Sequence, residues 1–319
     1  MSSEWRVPSG EPTSDDEVPT RDSQLATGFI NICKEPGFTS HDVVAIVRRT
    51  LGIRRIGHAG TLDPAAEGVL PIAVGRATRL VGRLADADKG YYAELVLGVR
   101  TSTDDAEGEV LETSPVSALD MAALEAGLAA FRGRIVQRPP RYSAVKVAGR
   151  RAYQLARSGE DVALQPREVT VRNLTLEWWR PPRLALSVAC SKGTYIRSIA
   201  RDIGERLGCG AHLGRLVRLW VGPFRLADAV SLDELESATR SGQLDHVLLP
   251  PDIVLGELPA VIVEPARQID FRHGRAWPAQ AHEQAHDGLV RVYDTRGRLL
   301  GLARSDRARG VWQPKLAFE

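Results

Sequence analysis

Gly57-His58-Ala59-Gly60-Thr61-Leu62-Asp63-Pro64 is the stretch on which the reading of this chain turns. It sets one carboxylate on a short Gly-rich turn, directly before a proline and ahead of the apolar run Gly68 to Val74. Pro64 fixes its own backbone angle and biases Asp63 toward an extended conformation. Gly57 and Gly60 let the backbone approach a bound group closely. A carboxylate presented this way suits a nucleophile or a base, but Asp is also a common cap for a following segment. The octapeptide alone leaves both readings open.

Upstream of the turn, Gly28 to Cys33 reads as a strand, and Thr39-Ser40 as the cap of a helix over His41 to Thr50 with Val43, Val44 and Val47 on one face. Downstream, the pattern predicts a strand at Val69–Val74, a helix at Ala77–Ala85, a strand at Tyr91–Val99 and a helix at Leu119–Phe131. Arg167 to Val188 reads as two strands joined at Pro181-Pro182. After Gly193-Thr194-Tyr195, residues Ile196, Ile199, Ala200, Ile203 and Leu207 share one helical face, which Gly208 and Gly210 end. Strands and helices mix without a repeating βαβ unit, so an α+β sheet is expected rather than a doubly wound one. Near residue 255 the character changes: Val261–Val263, Leu289–Tyr293, the turn Thr295-Arg296-Gly297, Leu299–Ala303 and Val311–Leu316 predict a small all-β domain over 256–319. Residues 1–27 are polar, rich in Ser, Pro and Glu, and aperiodic, which predicts a disordered acidic tail.

A length of 319 residues suits a sizeable core and two domains, and 43% hydrophobic with 26% charged residues is ordinary for a globular protein. No apolar stretch approaches membrane-spanning length and no signal-like segment opens the chain, so a cytoplasmic location is expected. The three cysteines, Cys33, Cys190 and Cys209, are too scattered for a disulfide framework or a zinc knuckle and are expected to be buried thiols. No pair of ligand residues sits at a metal-binding spacing, so neither a metal site nor a cofactor is expected.

Net charge is +2, but the tail carries an acidic excess and the remainder is correspondingly basic. From Arg132 to Arg157 there are eight basic residues and no acidic one: Arg132, Arg134, Arg138, Arg141, Lys146, Arg150, Arg151 and Arg157. Tyr142 and Tyr153 are interleaved. A solvated face usually mixes signs, whereas a one-signed run with aromatics fits a nucleic acid, arginines on phosphates and tyrosines on bases. A second cluster, Cys190 to Arg197, lies at a strand-to-helix junction. There Arg197 can pair bidentately with Asp63 and keep it ionised, or serve as a structural or exposed arginine. Tyr91 opens its strand as a sheet-edge aromatic or as a platform for a ligand base.

These motifs together resemble the bacterial TruB-type tRNA pseudouridine synthases, which isomerise uridine 55 in the TψC loop of tRNA. The resemblance runs from about Phe29 to Arg225 through Lys34-Glu35-Pro36-Gly37-Phe38-Thr39-Ser40-His41-Asp42, Gly57–Pro64, Leu97-Gly98 with Thr101-Ser102-Thr103-Asp104, Pro139–Lys146 and Gly193–Arg197. It implies an α+β pseudouridine-synthase fold with a central mixed or antiparallel sheet over 28–255, and a small C-terminal β-barrel, PUA-like RNA-binding domain over 256–319. It implies Asp63 as the catalytic aspartate, Tyr91 as the ring that stacks on the target uracil, and Arg197 as the aspartate's partner. His58 matches a histidine beneath the flipped nucleotides, and Lys34, Lys146, Tyr195 and Leu216 match positions that line the site or touch RNA. The stretch around 137–165 matches an insertion that closes over the tRNA loop. The implied partner is the TψC stem-loop of tRNA, with no guide RNA, bound by a monomer. Gly90 and Val217 depart from the family pattern, each standing where a basic residue is usual. A non-catalytic tRNA-binding protein, an N-glycosidase and a relative of the dyskerin class that relies on a guide RNA are the rival readings.

Overall fold

The structure is a computed structural model, and it describes residues 26–318 apart from 117–118, 144, 148, 159, 161–163 and 280–287. The acidic stretch 1–25 and the side chains of Lys146, Arg151, Tyr153 and Arg157 lie outside the described residues.

Strand β1 (Gly28–Lys34) leads into helix α1 (Ser40–Leu51), which Thr39 opens with a capping box: its hydroxyl accepts from Asp42 N–H at 3.1 Å and its N–H donates to the Asp42 carboxylate at 2.8 Å. β2 (Ile56–His58) and β3 (Glu67–Val74) flank the Asp63 turn. The helix expected at 77–85 is two pieces, a 3-10 turn over Gly75–Leu80 and α2 (Val81–Asp86). Ala77 and Leu80, three apart, are both buried as a 3-10 turn allows; Leu80 and Leu84, four apart, carry the burial into the α turn. β4 (Lys89–Leu97) ends two residues earlier than expected, at Gly98 with φ +83°, and β5 (Val99–Thr101) with β6 (Val110–Thr113) makes a hairpin. Asp120 caps α3 (Met121–Ala129), so this helix is shorter than expected.

β7 (Gly133–Gln137), the small hairpin of β8 (Lys146–Val147) and β9 (Arg150–Arg151), and α4 (Ala152–Arg157) lead to the long pair β10 (Arg167–Arg180) and β11 (Arg183–Cys190). α5 (Ile196–Arg206), β12 (Ala211–Val221), β13 (Phe224–Arg225) and α6 (Leu232–Arg240) complete this part. Among the described residues nine of these strands form one sheet, in the order β1-β3-β12-β4-β11-β10-β7, with β2 on β3 and β13 on β12. All neighbours are antiparallel except β12 with β3.

Two cores hold the sheet. Leu95, Leu186 and Val188 meet Leu128 of α3 and Ile199 and Ile203 of α5. Ile30, Ile32, Leu70 and Ile72 meet Val43 and Val47 of α1 and Leu235 of α6. Each such side chain contributes roughly 1.5–3 kcal/mol relative to exposure. The C-terminal part is β14 (Ala260–Val263), α7 (Pro265–Arg272), β15 (Trp277–Pro278), β16 (Leu289–Asp294), β17 (Leu299–Asp306) and β18 (Val311–Ala317). Its five strands form a second sheet, β14-β16-β17-β18-β15, around Trp277, Val290, Val292 and Trp312. Leu302 of this sheet joins Phe29 and Phe224 of the first sheet and Leu80 and Leu84 of the helical turns beside it, and Arg79 Nη1 donates to Ala317 O at 3.1 Å. Cys190 and Cys209 are buried and Cys33 is partly so; burial pushes the Cys190 thiol up to about 11. Among the described residues no helix is long and apolar enough to cross a membrane, and no cluster of three or more His, Cys, Asp and Glu side chains is arranged to hold a metal ion.

Candidate active site

Beyond β2 the chain turns through Gly60, whose φ of +86° suits glycine. Leu62 is then pinned to α1: its N–H donates to Ser40 Oγ at 2.9 Å, and Ser40 Oγ donates to Leu62 O at 3.1 Å. Two buried cations clamp the turn on either side of Asp63. Lys34, 0% exposed, donates through Nζ to the carbonyls of Glu35 (2.9 Å), Phe38 (2.8 Å) and Pro64 (3.0 Å), which uses all three ammonium protons. Burial, helped by the neighbouring Arg218 charge, lowers its pKa to about 8. Arg218 of β12, 1% exposed, donates to Val69 O (2.7 Å), Thr61 O (3.2 Å) and Gly60 O (3.1 Å). Charges buried this deeply persist only where dipoles and an opposite charge compensate them. The carbonyls supply the first, and Asp63 supplies the second for both cations. The next element after Asp63 is the strand β3, so the Asp63 side chain caps no helix.

The Asp63 carboxylate is ion-paired with Arg197: Nη2 donates to Oδ1 at 3.2 Å, and Nε lies 2.9 Å from Oδ2 outside hydrogen-bond geometry. The Arg197 side chain is 6% exposed and that of Asp63 is 39% exposed, so one side of the carboxylate is held and the other is open. The same guanidinium donates to Tyr142 O (2.9 Å) and Thr103 O (3.3 Å) and stands 3.4 Å from Asp105 Oδ2. Tyr91 sits opposite Arg218 in the β4–β12 register, 7% exposed, with its phenol in the field of that guanidinium. Burial above all pushes the phenol up to about 12, so it is neutral at physiological pH. Leu216, two residues before Arg218, is buried in the same core as Tyr91.

His58 is partly buried, edge-on to His41 with ring centroids 5.4 Å apart. Its Nδ1 is buried without a hydrogen-bond partner among the described residues, and burial, then His41, lowers its pKa. Tyr195 caps α5 with its backbone, and its ring lies 4.9 Å from the Arg167 guanidinium carbon. Asp63 and Arg197 therefore meet, and Tyr91 faces the Arg218 that clamps the turn; His58 ends β2 ahead of the turn, Tyr195 precedes α5 and Leu216 stands on β12, while Lys34 lies beneath the turn and not at its surface.

The basic segment is less one-signed in space than in sequence. Arg132 pairs with Glu125 (3.2 Å), Arg134 with Glu168 (3.9 Å) and Arg150 with Glu160 (2.9 Å), and Arg141 donates to Glu160 O at 3.0 Å. The side chain of Arg138 is exposed; those of Lys146, Arg151 and Arg157 lie outside the described residues. A second set stands elsewhere: Arg48, Arg49, Arg54, Arg55, Arg76, Arg79 and Arg83, on α1, the β2 approach, the turn leading to α2 and α2 itself, form no ion pair among the described residues. Reading by segment misses this face because its arginines come from separated stretches. Gly90 has a structural reason: a Cβ there would overlap the Trp220 indole, its register partner.

The model of the TruB family pseudouridylate synthase N-terminal domain matches residues 48–196. The tRNA pseudouridylate synthase B C-terminal domain matches 197–256, and the pseudouridine synthase II TruB C-terminal model matches 259–315. Over 292 residues the chain is 45% identical to the tRNA pseudouridine synthase B of Burkholderia pseudomallei (strain 668), covering 90% of this chain and 95% of that one. The chain belongs to the TruB family of pseudouridylate synthases. A second TruB relative, the tRNA pseudouridine synthase B of Synechococcus sp. (strain WH7803), is 47% identical over 296 residues, 92% of this chain and 97% of that one. Among solved structures, a Cbf5-Nop10-Gar1 complex matches with a TM-score of 0.70 at 27% identity, covering 93% of this chain and 87% of that chain. An H/ACA RNP bound to a substrate RNA matches with a TM-score of 0.69 at 23% identity and the same coverage, which speaks to the fold.

Proposed function

We propose that this TruB-family chain converts uridine 55 in the TψC loop of tRNA to pseudouridine, with Asp63 as the group that acts on the nucleotide. The observation that carries this is a half-open carboxylate on a clamped turn, aimed by a buried arginine. A stacked base is out of reach, so the uridine leaves the stack at a cost of roughly a few kcal/mol, and an aromatic ring, here Tyr91, replaces the lost stacking. Asp63 acts as nucleophile or base. The C1′–N1 bond breaks, the uracil turns while held, the C1′–C5 bond forms, and C5 gives up its proton while N1 gains one. Atoms and electrons balance without a co-substrate. Arg197 keeps Asp63 oriented throughout, and Leu216 closes the apolar side.

The arginine face that begins at α1 and runs to α2 gives the RNA stem a track of cations, and the insertion supplies more, which favours recognition of the tRNA without a guide RNA. The test is an unmodified tRNA transcript incubated with the protein and mapped for pseudouridine at nucleotide resolution. Modification at position 55 alone is expected. Free uracil with an abasic site identifies a glycosidase instead, and tight binding without any change in the RNA identifies a binding protein.

A further inference from the structure

We infer that Gln137 is a positioning residue that ties the root of the 137–165 insertion to the turn of α5 carrying Arg197, and so sets the aim of that guanidinium at Asp63. The inference rests on the reading that Asp63 performs the chemistry.

Gln137 ends the edge strand β7 and is 0% exposed. Both ends of its carboxamide are used on one residue: Oε1 accepts from Tyr195 N–H at 2.8 Å and Nε2 donates to Tyr195 O at 3.0 Å. Tyr195 is the N-cap of α5, and its own side chain makes no capping bond. The links continue along the insertion. Arg138 O accepts from Ser198 Oγ and from Arg201 Nη2, each at 2.9 Å, and Ser198 is itself 0% exposed. Tyr142 O accepts from Arg197 Nη2 at 2.9 Å, and that same nitrogen reaches Asp63 Oδ1 at 3.2 Å. The first turns of α5 thus hold three successive points of the insertion's root, and the last shares its donor with the catalytic carboxylate. A guanidinium is planar, so a shift of the Tyr142 carbonyl against α5 changes the angle at which Nη2 and Nε face Asp63. Gln137 is the buried lock on that shift, with both ends of its carboxamide held by Tyr195. RNA that engages the insertion therefore acts on the ion pair through backbone carbonyls, without touching Arg197.

The experiment compares wild type, Gln137→Met and Ser198→Ala for single-turnover pseudouridine formation at saturating tRNA, for tRNA Kd and for melting temperature. Each change is repeated in an Arg197→Lys background, where the planar fork is absent. The expected result is a rate about 10-fold or more lower for Gln137→Met, with Kd within about 3-fold of wild type. In the Lys background the same change is expected to cost less than about 2-fold, because coupled residues are not additive. A plain structural brace would lower the melting temperature and give the same fractional loss in both backgrounds. An unchanged rate in folded Gln137→Met, or a loss as large beside Arg197→Lys, overturns the inference. If Gln137→Met does not fold, Ser198→Ala carries the same two comparisons. A wild type that forms no pseudouridine overturns the reading of the reaction and this inference with it, while an active wild type with insensitive variants overturns the inference alone.

Discussion

At residue level the site is built from charges placed where water cannot satisfy them. Tyr91 combines deep burial with a neutral phenol, which suits a stacking platform and not a phenolate base. Tyr91→Phe is therefore expected to keep most of the tRNA affinity and to retain more activity than Tyr91→Ala, since base–aromatic stacking is worth roughly 1–3 kcal/mol. Equal losses in single-turnover assays of the two variants would contradict the platform role. His58 gives a pH signature. Its folded pKa is depressed by burial and by His41, so the unfolded chain takes up the proton first as pH falls. Stability is full above the ordinary histidine value near about 6.5 and is lost as pH falls below it. Melting temperatures at pH 7 and pH 5 are expected to differ more for wild type than for His58→Gln, and identical differences would contradict the burial argument.

Among the elements, β12 is the strand that matters most and the one least visible in the sequence. It lies inside the sheet between β3 and β4, yet His212, Arg215 and Arg218 interrupt any apolar alternation, and its pairing with β4 shifts register twice. Arg218 makes sense only once folding brings Val69, Thr61 and Gly60 to its guanidinium. Arg218→Met is expected to loosen the Asp63 turn, with a stability loss of about 1–3 kcal/mol for each carbonyl left unsatisfied and a fall in turnover. A variant that melts and turns over like wild type would show that the clamp is dispensable. Other elements were legible for a simple reason: their causes are local. Thr39 and Asp42 cap α1 from within four residues, Pro64 sits directly after Asp63, and the Ile196–Ile203 stripe needs only its own spacing. The pairing of Gly90 with Trp220, the Arg134–Glu168 pair and the Gln137–Tyr195 lock join residues far apart in sequence, and composition or periodicity cannot show them.

For the whole molecule, the distribution of charge decides how tRNA is met. The seven arginines on α1, the β2 approach, the turn into α2 and α2 itself form no ion pair among the described residues, and one of them, Arg79, reaches the C-terminal sheet by its hydrogen bond to Ala317 O. Phosphate contacts each contribute about 0.7–0.9 to the slope of log affinity against log salt. Replacing Arg49, Arg76 and Arg83 by alanine is thus expected to reduce that slope by about 2–3, and more than replacing the ion-paired Arg132, Arg134 and Arg150. Equal slopes for the two triple variants, measured by tRNA binding across a salt series, would contradict this assignment. The central claim is that one carboxylate, aimed by one buried arginine, moves the glycosidic bond of a single uridine. Its most direct measurement is tritium release from tRNA transcript labelled at C5 of uridine, wild type against Asp63→Asn, with tRNA binding measured alongside. The account predicts release of one tritium per tRNA by wild type, and a rate at least about 1,000-fold lower for a variant that still binds. Release by Asp63→Asn near the wild-type rate would contradict it.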